Sequence, residues 1–175
     1  MNKVATFSKV SREQFVNDFV KEYYEDKDIT AEIFETINAI YDCIELPKRA
    51  TVGSAGYDIS APFGFDLAPG ETIKFPTGIR CKIDQGWVLM IYVRSSIGFK
   101  YETVLVNGTG IIDSDYFNAD NEGHIWVKLR NDSQSKTLTM AAGDRVCQGV
   151  LVPFGVTIDD ACEDVRIEGI GSTGK

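Results

Sequence analysis

Apolar positions in the first quarter of the chain recur with a helical period. Phe15, Val16, Phe19, Val20 and Tyr23 fall at i, i+1, i+4, i+5 and i+8, a single stripe on a helix. Ser11 stands ahead of them as an N-cap. "YEDKD" (24–28) breaks the stripe, and Thr30 caps a second one made of Ile33, Phe34, Ile37 and Ile40. The pattern predicts a helical hairpin from Ser11 to about Tyr41. After "LPKRATVGSAG" (46–56) the period changes to short strands: "YDISA", "ETIKFPTGIRCKI", "WVLMIYVR", "TVLVNG", "HIWVKLRN", "KTLTM", "RVCQGVLVPFGVTI" and "VRIEG". Turn residues separate them at 68–70, 84–86, 131–133 and 141–144. The expected fold is mainly β, a jelly roll or β-sandwich, with an N-terminal helical extension. Its expected parts are an extension over 1–42, a β domain over 43–168 and a glycine-rich tail over 169–175.

Composition narrows the classes of function. The chain has 175 residues, enough for one domain with a real core, and no apolar run approaches a membrane span. The opening "MNKVATFSKVSREQ" lacks a long apolar stretch, which points away from secretion. Four cysteines, far apart and without a CxxC pair, suit a reducing cytoplasm, whether of a cell or of a virus-infected host. One histidine makes a His-Cys zinc site improbable. A net charge of −8 argues against nucleic acid or an anionic membrane as partner. It leaves room for a small anion carried with a divalent cation.

Four segments hold candidate chemistry. In "VNGTGIIDSDYFNADNEGHIWVKLRN" (106–131) a run of acids sits between two apolar strands. Asp113, just past Ile111 and Ile112, either caps a turn, as aspartate commonly does, or orients and deprotonates a water. "VRSSIGFK" (93–100) brings Arg94, Ser95 and Ser96 to the end of a strand, a donor set suited to phosphate oxygens or an ordinary surface turn. In "GDRVCQG", Asp144 and Arg145 read as a structural ion pair, and Gln148 as a buried amide in need of a partner. "GIGSTGK" (169–175) follows the phosphate-loop pattern without its Ser/Thr or its helix, leaving a flexible tail whose Ser172 and Thr173 can close over phosphates.

Taken in order, "GSAGYDISA", "RSSIG", "NGTGIIDSDY", "GDRVCQ" and "GIGSTG" resemble the five motifs of the trimeric dUTP pyrophosphatase (dUTPase) family, and "LPKRAT" resembles its lead-in. The resemblance spans about Leu46 to Lys175. It implies a β jelly roll assembled as a homotrimer, with active sites between subunits that hydrolyse dUTP with Mg²⁺ on the triphosphate. By the same resemblance Asp113 orients the attacking water, and Tyr116 packs under the deoxyribose and excludes a 2′-hydroxyl. Asn107, with the backbone of Gly110, Ile111 and Ile112, reads the uracil edge. Arg94, Ser95, Ser96 and Gln148 serve the phosphates, and Asp58 reaches Mg²⁺ through water.

The sequence departs from the family pattern at three places. Ile170 replaces the aromatic that stacks on the base, so Phe117 or Trp126 is a candidate substitute. Arg166 lies one residue nearer the closing glycine than the family's arginine, and "FNADNE" (117–122) lengthens a turn, reading as a solvated insertion. dCTP deaminase is the alternative enzyme, but it needs a glutamate where Lys128 stands. A nucleotide-sensing regulator of the same fold is the alternative outside catalysis. The helices of residues 1–42 read either as an appendage on the trimer surface or as a site for an unidentified protein partner.

Overall fold

The structure is a computed structural model that describes residues 2–25, 27–164, 166 and 169. Both expected helices form. α1 (Arg12–Tyr24) starts at Ser11, whose hydroxyl accepts from the Gln14 amide at 3.0 Å. α2 (Ala31–Cys43) starts at Thr30, which accepts from Ile33 N at 3.3 Å. Of the second stripe only Ile37 is fully buried, and Phe34 is half exposed.

A strand precedes the helices that periodicity did not announce. β1 (Ala5–Lys9) pairs antiparallel with β6 (Ile79–Ile83), Phe7 opposite Cys81. The remaining strands are β2 (Lys48–Arg49), β3 (Tyr57–Ser60), β4 (Phe65–Leu67), β5 (Thr72–Pro76), β7 (Trp87–Val93), β8 (Thr103–Leu105), β9 (Gly110–Ile112), β10 (Trp126–Asn131), β11 (Leu138–Met140) and β12 (Arg145–Pro153). They form antiparallel sheets ordered β1-β6, β5-β10-β8, β11-β4 and β2-β3-β12-β7-β9. "RSSIGFK", read as a phosphate-suited donor set or a surface turn, winds into α3 (Ser95–Tyr101), and "VRIEG" falls largely outside the described residues. β10 alternates as its sequence predicts, with Val127, Leu129 and Asn131 inside and Lys128 and Arg130 outside.

The helices share the β domain's core. Phe15, Val16, Phe19 and Ile37 join Phe75, Ile79, Ile125 and Leu129 in one buried cluster. Phe15 is fully enclosed, with its ring centroid 5.8 Å from Phe19, 5.6 Å from Tyr41 and 6.1 Å from His124. Below it Gly78 makes the β5–β6 turn at φ +73°; a Cβ there would lie 2.2 Å from Ile44 Cδ1 and 3.3 Å from Phe15. The extension is therefore built into the fold instead of resting on its surface.

All four cysteines are unpaired, two of them buried. Burial pushes the thiols of Cys81 and Cys147 up to about 12, because an apolar surround disfavours the thiolate. A thiol reagent at pH 8 is thus expected to titrate Cys43 and Cys162 rapidly. The other two should respond only on unfolding, and four fast equivalents in native protein would contradict this packing. Among the described residues no helix is long and apolar enough to cross a membrane.

Candidate active site

The phosphate-side candidates gather at one end of the five-stranded sheet. Asp58, Gln148 and Tyr92 lie opposite one another across β3, β12 and β7. Arg94 leaves β7 as the N-cap of α3, its amide donating to Val146 O at 3.1 Å. Its Nε lies 3.0 Å from Asp58 Oδ1, while Arg145 Nη1 lies 3.2 Å from Asp58 Oδ2. Two guanidiniums around one carboxylate leave a local excess of positive charge. Ser95 and Ser96 are exposed in the first turn of α3, where helical geometry leaves amides without an internal acceptor. Gln148 packs over Gly56, its Oε1 2.6 Å from where a Cβ would stand.

The expected Asp144–Arg145 pair does not form. Asp144 caps its own turn by accepting from Ala141 N at 2.8 Å, and Arg145 crosses to Asp58. Adjacent residues entering a strand face opposite ways, so the neighbours cannot meet.

Asp113 follows β9 at the sheet's edge. Its side chain is 47% exposed, and its Oδ2 accepts from Arg166 Nη2 at 2.7 Å. Arg166 Nε also lies 3.0 Å from Asp115 Oδ1, an ion pair without hydrogen-bond alignment. The same guanidinium stands 5.5 Å from the Tyr116 ring centroid. The displaced arginine of the sequence thus grips both acids of "DSDY". Tyr116 is 3% exposed, and burial raises its phenol, a shift opposed by the hydrogen bond from Asn121.

"FNADNE" is not a solvated insertion. Residues Asp115–Asn118 form a 3-10 turn, and the Phe117 ring lies 3.6 Å under the Arg80 guanidinium, which also donates to Phe117 O at 2.5 Å. Glu122 accepts from Ser11 N at 2.7 Å and lies 3.7 Å from Arg80 Nη1. Asn121 Nδ2 donates to the Tyr116 hydroxyl at 2.7 Å. At Gly123, φ +68°, a Cβ would sit 2.6 Å from Tyr116 O, so only glycine closes this loop. Neither aromatic named as a stacking substitute is free: Phe117 carries Arg80, and Trp126 carries Lys74 Nζ 4.3 Å from its centroid.

The two clusters stand apart within one chain. Gly110, Ile111 and Ile112 pair with Ile91, Met90 and Leu89, which puts Asp113 level with Val88. Arg94, the first residue past β7, is six residues further on, about 20 Å at the strand rise of roughly 3.3 Å per residue. Asn107 is exposed on the turn between β8 and β9. Ile170, Ser172 and Thr173 lie outside the described residues.

Comparison with known proteins decides the family. Residues 42–174 match the dUTPase family model. The chain belongs to the dUTPase family. It is 44% identical over 134 residues to the deoxyuridine 5′-triphosphate nucleotidohydrolase of Lactococcus lactis, covering 75% of this chain and 89% of that protein. The Paraburkholderia phytofirmans enzyme of the same name is 37% identical over 139 residues, covering 75% and 90%. The Streptococcus mutans dUTPase crystal structure superposes with a TM-score of 0.57 at 40% identity, over 65% of this chain and 88% of that one. The dUTPase of Staphylococcus bacteriophage 80alpha, solved with dUPNHPP, gives 0.57 at 23% identity over 75% and 92%, a likeness of fold.

Seen as a dUTPase, the chain carries β1, α1 and almost all of α2 outside the family-matched segment. The family uses Mg²⁺. Among the described residues no cluster of three or more His, Cys, Asp or Glu side chains is placed to hold a metal, and both oxygens of Asp58 are engaged by arginines. Lys128, where a deaminase needs its glutamate, is exposed on the outer face of β10. Sequence reasoning missed His124, Asp18 and Arg80; the only signal was a lone histidine beside an apolar strand in "EGHIW".

Proposed function

We propose that Asp113 is the base of this dUTPase, orienting a water against the α-phosphorus. The reaction is hydrolysis of dUTP to dUMP and pyrophosphate, and the chain is a dUTP diphosphatase. The observation that carries the assignment of the base is the Asp113 carboxylate, half exposed at the end of an edge strand and steadied on one oxygen by Arg166. A carboxylate so held can take a water proton without first reorganising. Tyr116, three residues on, supplies the wall for the sugar. Among the described residues β9 is the last strand of its sheet, so alternate residues of Gly110–Ile112 turn backbone groups to an outer edge that, with Asn107, can read uracil. A wrong base would leave such groups unsatisfied.

Arg94, Ser95, Ser96 and Gln148 would bind the phosphates, joined by Ser172 and Thr173 of the tail, with Ile170 against the base. Mg²⁺ supplies charge neutralisation on the triphosphate. A water-mediated contact from Asp58 would require one arginine to release it. The separation of about 20 Å along β7 far exceeds the span from the α- to the γ-phosphorus. This supports sites completed between copies, as in a homotrimer, where one chain presents Asp113 and another Arg94. The unpaired thiols support a reducing cytoplasm.

Purified protein with Mg²⁺ is expected to release pyrophosphate from dUTP at least about a hundredfold faster than from dTTP, dCTP or UTP. Equal rates across the four nucleotides would overturn the assignment.

A further inference from the structure

The loop that carries Asp113 and Tyr116 is anchored to a helix that lies outside the family-matched segment. Tyr116 is fixed at its hydroxyl, which donates to His124 O at 2.7 Å and accepts from Asn121 Nδ2 at 2.7 Å. His124 is itself immobilised, with no exposed surface. Its Nε2 lies 2.8 Å from the Gly78 amide nitrogen, and an amide can only donate, so Nε2 carries no proton. Nδ1 is then the protonated nitrogen, and it donates to Asp18 Oδ2 at 2.5 Å. Gln14 Nε2 donates to the same oxygen at 2.9 Å. One turn earlier Ser11 N holds Glu122, which sits at φ +57°, a conformation a glutamate keeps only when its surroundings fix it. α1 thus grips the loop at residues 122 and 124, and residues 121 and 124 grip the tyrosine.

We propose that Asp18 is a positioning residue for the sugar side of the site: through His124 it sets the Tyr116 ring and thereby the preference for deoxyribose over ribose. This rests on the reading that Tyr116 walls the sugar. A merely structural bond would stabilise the protein without changing what it selects. A positioning bond moves the ring when cut, and displacements near 1 Å are costly where reacting or excluded atoms are in contact. Asparagine at 18 keeps a carbonyl oxygen that can accept from Nδ1–H, whereas alanine keeps nothing.

The test measures kcat and KM for dUTP and UTP on the full chain with Mg²⁺. Asp18→Ala is expected to raise KM for dUTP, leave kcat within a factor of a few, and narrow the dUTP:UTP ratio of kcat/KM about tenfold. Asp18→Asn should restore most of that ratio. Tyr116→Phe, which cuts the same chain of bonds at its other end, should narrow it similarly, and the double variant with Asp18→Ala should add little. If Asp18→Ala does not fold, Asp18→Glu, which keeps the charge but displaces the acceptor, carries the same expectation. A lower melting temperature with an unchanged ratio, or an asparagine variant as impaired as alanine, overturns the proposal. Tyr116→Leu separates the two levels. If it relaxes selectivity while Asp18→Ala does not, Tyr116 walls the sugar but Asp18 does not position it. If it leaves selectivity intact, the sugar-wall reading fails and the proposal with it.

Discussion

Replacing Asp113 by asparagine is expected to lower kcat for dUTP about a thousandfold while the nucleotide still binds. The amide has the carboxylate's shape, and its oxygen can still accept from Arg166 Nη2, so the loop stays in place. What it lacks is the ability to take a proton from water. Titration calorimetry with dUTP should therefore give a dissociation constant near that of the parent protein, with pyrophosphate release almost absent. Full turnover in the variant would remove Asp113 from the mechanism. Loss of binding together with turnover would mean that its main contribution is to hold Arg166 and the tyrosine loop.

The second large effect is on stability. Phe15→Ala should cost about 3–5 kcal/mol, the range for emptying a fully buried phenylalanine site. The ring fills the space between α1, Tyr41, His124 and the Gly78 turn, and a backbone turn held at positive φ cannot readily collapse into the void. Chemical denaturation followed by tryptophan fluorescence would measure it through Trp87 and Trp126. A separable appendage would instead melt in its own early transition, leaving the main one unmoved. One cooperative transition shifted to lower denaturant is the expected result.

What the chain made legible was local. Both helices could be read because stripe and cap are written within a few residues: Phe15 to Tyr23 behind Ser11, Ile33 to Ile40 behind Thr30. The strands of the β domain could be read from alternation, most clearly in β10. β1 escaped because "ATFSK" has little apolar content; only pairing with β6, seventy residues on, makes it a strand. α3 escaped because Arg94 and two serines resemble a turn, while Ile97, buried beneath, holds the segment helical. The acidic loop misled for a related reason. Asn121, Glu122 and Phe117 have the composition of a solvated tip, yet Glu122 and Phe117 are consumed by partners distant in sequence, Ser11 and Arg80, and Asn121 turns back onto the tyrosine it orients, five residues earlier. Motif order located the candidate base and phosphate residues. The wiring between them and α1 exists only in three dimensions.

The β1–β6 pairing has one more consequence. Among the described residues, β6 has no neighbour within its sheet besides β1. A chain trimmed to the family-matched residues 42–174 would leave β6 with a bare row of amides and carbonyls, beside a core stripped of Phe15 and Phe19. Such an edge is a template for a strand from another molecule. β1 thus covers a border that would otherwise lie open to an unrelated strand.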